Sequence, residues 1–260
     1  MSQISVRNLT KIYGGLTPSV GVVALDNVSC EIPAGQFLSI IGPSGCGKST
    51  LLHAIAGFVQ GTSGETFQDD SKILRPGPER IVMFQEYGLF PWLTVAENVE
   101  FGLLAKRIAA SERKETVHRY LRLVKLEGFE QRYPHELSGG MKQRVSIARA
   151  LAPDPAGILM DEPFAALDSL TRDILQEEIL RIWEKTGKTF VLITHNIEEA
   201  VFLGDRVIVM TARPGRIKAE IDVDIQRPRD PSMRTHHPRF LEIKEQLSQL
   251  LRTEIAGGVV

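Results

Sequence analysis

The feature that most constrains this chain is GPSGCGKST at residues 42–50, lying between the apolar run FLSII (37–41) and STLLHAIAG. Gly42-x-x-x-x-Gly47-Lys48-Ser49 at such a junction is a phosphate cradle. Its glycines let the backbone turn tightly and aim N–H groups and a helix N-terminus at phosphate oxygens. Gly42, Pro43, Ser44, Gly45, Cys46, Gly47, Lys48, Ser49 and Thr50 are therefore the candidate phosphate-binding residues. Lys48 is placed to neutralise the β and γ phosphates and the Ser49 hydroxyl to bind Mg²⁺. Leu51, Leu52, Ile55 and Ala56 fall on one face of the helix that follows. Cys46 lies inside the cradle, so alkylation of its thiol is expected to block nucleotide binding and bound nucleotide to protect it.

Such a loop sits naturally in a parallel sheet, and the rest of the chain fits one. IVMF (81–84), GILM (157–160), TFVLI (189–193) and VIVM (207–210) are short apolar runs of buried-strand type, separated by amphipathic segments. The expected fold is α/β, a mostly parallel P-loop NTPase core of the RecA-like kind. Alternation in ISVRNL and ALDNVSCEI adds an N-terminal antiparallel β layer. SLTRDILQEEILRIWEKTG predicts a helix with Leu170, Ile174, Leu175, Ile179, Ile182 and Trp183 at helical spacings, stopped by Gly187. Strand signals fade between about 86 and 156, where TVAENVEFGLLAKRI and ASERKETVHRYLRLVKL predict an inserted helical subdomain. One nucleotide-binding domain over 1–260 is expected, with 1–85 and 157–220 forming the core with its β layer, 86–156 the helical subdomain, and 221–260 a C-terminal tail.

GILMDE (157–162) places two acids at a strand end. Asp161 is suited to the Mg²⁺ shell and Glu162 to polarising an attacking water. Adjacent acids there also serve as helix-capping charges, and the cradle upstream favours the catalytic assignment. LSGGMKQR (137–144) is a second glycine-rich segment before a helix, with Ser138 an obvious N-cap and Met141, Val145, Ala148 and Ala152 on one face. One such segment suffices to hold a nucleotide, so the second needs a reason of its own.

Composition narrows the partners. The chain carries 31 Lys+Arg against 32 Asp+Glu, net charge -1, which provides no general field for nucleic acid or anionic lipid. Two cysteines in 260 residues form no disulfide framework and suit a reducing compartment. The N-terminus shows no signal-peptide core, and the longest apolar runs are far short of the roughly 18 residues of a membrane span.

The ordered set GPSGCGKST, Gln85 after IVMF, LSGGMKQR, GILMDEP, Ala166-Leu167-Asp168 and His195 after TFVLIT closely resembles the ATP-binding subunits of ABC transporters, over roughly residues 4–220. The resemblance implies ATP and Mg²⁺ as cofactors and a head-to-tail sandwich of two copies. Each nucleotide would lie between one cradle and the partner's LSGG segment, where Ser138, Gly139 and Gly140 present a hydroxyl and a helix N-terminus. It implies that Gln85 senses the γ-phosphate and metal, that His195 contacts the γ-phosphate, and that Asp168 crosses the dimer interface. Tyr13 matches the adenine-stacking aromatic, and packing on an edge strand is an equally natural role for it. Two departures stand out: GGLTPSVGVV (14–23) is longer than the usual turn after Tyr13, and Asn196 replaces an acid common after the histidine.

The resemblance further implies separate transmembrane permeases, for import an indirect link to an extracytoplasmic solute-binding protein, and a peripheral location on the cytoplasmic face of the inner membrane. The aromatics of EYGLFPWLTVAENVEFG (86–102) either fill the helical subdomain's core or offer a docking groove anchored by Trp92. PWLTVAENV and TARPGRI (211–217) resemble the ATPases importing nitrate, taurine and sulfonates. The catalytic motifs alone are equally compatible with an exporter. The stretch 50–137 is too short for the long coiled coil of the DNA-repair relatives, so no nucleic acid is expected.

Overall fold

The computed structural model describes residues 2–15 and 21–257. Residues 16–20 of the long turn after Tyr13 lie outside them. The chain divides into two compact units, Met1–Gly77 with Thr186–Val260, and Pro78–Lys185.

In the first unit β1 (Ile4–Tyr13), β2 (Val22–Ile32), β4 (Ser63–Gln68) and β5 (Ser71–Lys72) form an antiparallel sheet in the order β2-β1-β4-β5. Here is the expected N-terminal layer, extended by two strands that the sequence conceals. SGETFQ buries only Thr66 and so shows no apolar alternation. The second sheet of this unit is built on β3 (Phe37–Ile41), flanked in parallel by β8 (Thr189–Ile193) and β9 (Arg206–Met210), with β10 (Ile217–Asp222) antiparallel on β9. All five residues of β3 and of β8 are buried, which is why both appear as unbroken apolar runs. Helix α1 (Lys48–Ala56) follows β3 and buries Leu51, Leu52, Ile55 and Ala56 as expected.

Helices α6 (Ile197–Leu203), α7 (Met233–His236) and α8 (Pro238–Gly257) complete the unit. The tail is packed core: Phe240, Ile243 and Leu247 of α8 are fully buried. Arg229, 6% exposed, donates to the carbonyls of Val201, Phe202 and Gly204 at 2.8, 3.1 and 2.6 Å and also to those of Val223 and Ile225. A buried guanidinium is tolerated there because carbonyl dipoles converge on it.

The second unit holds β6 (Arg80–Met83) parallel to β7 (Gly157–Asp161), together with α2 (Val95–Ala105), α3 (Ala110–Leu123), a 3₁₀ turn (Pro134–Glu136), α4 (Gly139–Leu151) and α5 (Ser169–Thr186). Thr94 and Glu97 form a full capping box at the start of α2. Helix α5 stops before Gly187, whose φ of 62° is the left-handed cap expected there. Its buried face differs from the expected one. Leu175, Ile179 and Ile182 are buried, but Leu170 is 70% and Ile174 42% exposed, because the helix rolls to bury Gln176 and Glu178 instead.

Candidate functional site

Three loops leave the carboxyl ends of the parallel strands in the first unit, the end at which open α/β sheets bind ligands. β3 and β8 run in register, Ile40 opposite Ile193, so the cradle and Thr194-His195 emerge side by side. β9 lies on the other flank, Ile41 opposite Val209, and sends out residues 211–216.

The cradle's path is set by glycine. Gly47, at φ 100°, is the N-cap of α1, and a Cβ on it would stand 2.5 Å from the Ala24 carbonyl oxygen. No side chain caps α1 and its first turn holds no acid, so the helix N-terminus presents its positive end to an anion. Lys48, 7% exposed, arches back and donates from Nζ to the carbonyls of Gly42 at 2.8 Å and Pro43 at 3.0 Å. Its charge is thereby held within the loop, suited to phosphate oxygens.

Cys46 departs from expectation. Its side chain is 1% exposed and turned inward, 2.8 Å from where a Gly42 Cβ would be. Burial raises its thiol pKa despite the opposing charge of Lys48. We therefore expect slow alkylation of the folded chain at neutral pH with or without nucleotide, measured by mass spectrometry of the Cys46 peptide. Fast, nucleotide-protected labelling would restore the sequence-based expectation.

His195 is exposed after β8. The loop beneath it is fixed: the Thr194 hydroxyl donates to the Glu199 carboxylate at 2.5 Å and accepts from the Asn196 N–H at 3.0 Å. Asn196 caps α6, its side chain accepting from the N–H groups of Glu198 and Glu199. The amide thus fills the capping role an acid would have. Tyr13 is 43% exposed at the end of β1, with Lys11 Nζ 5.1 Å from its ring centroid.

In the second unit the register of β6 and β7, Met83 opposite Met160, carries Gln85 and the pair Asp161-Glu162 out at one end. Gln85 is exposed, and both acids are partly exposed. Glu162 adopts φ 47°, a left-handed conformation uncommon outside glycine and found often at functional sites. Ser138 caps α4, its Oγ accepting from the Met141 N–H at 3.3 Å. A Cβ on Gly140 would meet Thr171 Cγ2 at 2.6 Å. Ser138, Gly140, Met141, Thr171 and Ile174 line part of an open groove of about 350 Å³. Asp168 accepts from the Thr171 N–H at 3.0 Å, and that bond holds its carboxyl below the usual range.

Two residues of the site region escaped sequence reading. Arg149 of α4 donates to the carbonyls of Gly88 at 2.5 Å and Tyr87 at 3.4 Å and lies over Phe90, fixing the segment after Gln85. Asn98, fully buried, bonds Phe90 through both its N–H and its carbonyl and donates to the carbonyls of Leu93 and Thr94. These bonds hold the turn, in which Trp92 is 70% exposed, and on α2 Phe101 and Leu104 are 47% and 49% exposed. Leu89, Phe90 and Leu93 are only partly exposed, and Phe90 packs on Trp92 and Phe101 at ring-centroid distances of 5.7 and 4.5 Å.

The Ser49 hydroxyl in the first unit and the Asp161 carboxylate in the second are each, taken singly, a hard oxygen donor of the type Mg²⁺ prefers, and among the described residues no cluster of three or more His, Cys, Asp or Glu would hold an ion unaided. Either donor alone suits an ion bound largely through phosphate oxygens and water. Among the described residues no helix is long and apolar enough to cross a membrane.

A glycine cradle on a β3-loop-α1 unit and an acid pair closing β7 define a P-loop nucleotide hydrolase. The pattern of the ABC transporter family matches residues 25–165. The chain belongs to that family, as an ATP-binding subunit with ATPase activity. A protein of Methanocaldococcus jannaschii named only as an uncharacterized ABC transporter ATP-binding protein is 50% identical over 97% of this chain and 92% of its own. A taurine import ATP-binding protein of Roseobacter denitrificans is 44% identical, covering 99% and 98%. A nitrate import ATP-binding protein of Synechocystis is 43% identical, covering 96% and 95%. An ATP-binding cassette solved as a dimer in a post-hydrolysis state with ADP and Pi matches with TM-score 0.73 and 35% identity, over 86% of this chain and all of that one.

Proposed function

We propose that this chain hydrolyses ATP as half of a two-chain sandwich and thereby powers import of a small solute, taurine, a sulfonate, nitrate or a related compound, through separate permease subunits. The observation that carries the reading is the second glycine-led helix start. Ser138 caps α4 at an open groove, although the chain already has a complete cradle at α1.

In this reading the cradle residues Gly42 to Thr50 hold the phosphates, Lys48 neutralises them, and Ser49, Gln85 and Asp161 serve the Mg²⁺ shell. Glu162 takes the proton of the attacking water, and His195 holds the γ-phosphate. Tyr13 stacks on adenine. Ser138, Gly139, Gly140 and Asp168 complete the partner chain's site. Residues 1–85 and 157–220 work as the core, 86–156 as the subdomain that meets the permease, and 221–260 as a tail secured to the core. Trp92 and its exposed neighbours form the docking surface, an aromatic anchor of the kind that dominates interface energies. The chain then sits on the cytoplasmic face of the membrane, linked through the permease to an extracytoplasmic binding protein. The names of the taurine and nitrate relatives support import and the solute class.

Growth of a deletion strain on single sulfur and nitrogen sources tests this. Wild type is expected to restore growth on one of taurine, an alkanesulfonate or nitrate, and Trp92→Ala to lose that growth while the purified variant keeps its ATPase activity. Growth on every source without the chain would contradict the solute assignment, and a fully active Trp92→Ala strain the docking surface.

A further inference from the structure

The segment 211–216, which bears no catalytic motif, is wedged against the phosphate cradle. Arg213 Nε donates to the carbonyl of Gly45, the centre of the loop, at 3.0 Å. Its Nη2 lies 3.1 Å from where a Cβ on Gly45 would be. Two residues on, a Cβ on Gly215 would stand 2.1 Å from the Cys46 carbonyl oxygen, so only glycine lets this strand of backbone pass so near. The Gly215 N–H donates to the Ala24 carbonyl at 3.1 Å, and the Asp26 N–H to that of Gly215 at 3.0 Å. Arg216 pairs with Asp26 at 2.8 Å. Inside the loop, Thr211 Oγ1 donates to the Pro214 carbonyl and accepts from the Arg216 N–H, at 2.8 and 2.9 Å.

The far side of the same loop is held by the last turns of α8. The Ala212 N–H, next to Arg213, donates to Glu254 Oε2 at 2.9 Å. Glu254 Oε1 pairs with Lys218 of β10 at 2.7 Å, with side chains 18% and 23% exposed. One carboxylate therefore fixes the loop that carries Arg213, and Arg213 fixes the loop that carries the phosphate-binding N–H groups.

We infer that Arg213 is a positioning residue for the nucleotide, orienting the Gly45–Cys46 peptide of the cradle, and that α8 sets Arg213 through Glu254. The inference rests on the reading of residues 42–50 as the ATP site. An anion cradle depends on the direction of its peptide groups, and a charged donor on the carbonyl of one peptide holds that direction without touching the ligand. Loss of the donor lets the loop sample orientations that bind phosphate poorly, so apparent affinity falls with the competent fraction. The bond-making groups stay in place, so turnover of bound ATP is largely kept.

The test uses the full chain, with binding of trinitrophenyl-ATP and steady-state kcat and KM for Mg·ATP. Losing one charged hydrogen bond predicts about a tenfold rise in Kd and KM for Arg213→Ala, with kcat within about twofold. Arg213→Lys, which keeps a donor and the charge, should recover part of the loss. Glu254→Gln should raise KM about threefold, and the double variant should be no weaker than Arg213→Ala, because coupled sites are not additive. Lys48→Ala is the reference for the ATP site. Unchanged binding by Arg213→Ala beside lost binding by Lys48→Ala would overturn the inference and leave the site standing. Unchanged binding by Lys48→Ala would overturn both. A fall in kcat at constant KM would also overturn the positioning role.

Discussion

Glu162→Gln is expected to cut ATP turnover by about two to four powers of ten while leaving ATP binding intact, the usual size of a lost general base. The substitution preserves shape and hydrogen-bonding reach, and it removes only the ability to take a proton. Glu162 follows β7 directly, so the strand fixes its position, and its left-handed backbone turns the chain sharply at the acid. The register of β6 and β7 brings Gln85 out at the same strand end. In the proposed function binding rests instead on the cradle and Lys48, whose Nζ donates to the Gly42 carbonyl. Single-turnover hydrolysis together with nucleotide titration separates the two effects. Unchanged hydrolysis would remove Glu162 as the base.

The second large effect is on stability. Phe240→Ala should destabilise the unit that contains α8 by about 3–5 kcal/mol, the range for truncating a fully buried aromatic. Among the described residues of α8, Phe240, Ile243 and Leu247 have no exposure, so the helix depends on them for its attachment. Because the chain has two compact units, denaturant unfolding is best followed by hydrogen exchange of α8 and β9 as well as by a global signal. A loss below about 1 kcal/mol would mean that α8 is peripheral, as for a typical surface substitution. It would also weaken the case that α8 sets the loop at Arg213.

What could be read from the residues alone follows from how strongly each was constrained. β3 and β8 are buried on both faces, so FLSII and TFVLI stand out as apolar runs with the right ends. β4, β5 and β10 bury very little, and polar residues such as those of IKAEID carry no strand period. The helix at 169–186 was legible, but its roll was not, because Gln176 and Glu178 are buried where a periodicity argument expects Leu170 and Ile174.

The motifs placed the candidate catalytic residues at strand ends and helix starts because glycine spacing and terminal acids reflect local backbone needs. Which way a side chain turns is a tertiary matter. Cys46 faces inward and Trp92 outward, and nothing in their neighbours along the chain distinguishes the two. Arg213 was hidden for the same reason, since its partner Gly45 is 168 residues away.

In the proposed function ATP closes two copies of this chain, with Ser138 of each completing the other's site. Sedimentation velocity of Glu162→Gln with and without Mg·ATP tests it most directly. A monomer is expected without nucleotide, a dimer with it, and a monomer in both conditions once Ser138→Arg is added, although that variant still binds ATP. A species that stays monomeric with saturating ATP, or a dimer indifferent to Ser138→Arg, would contradict it.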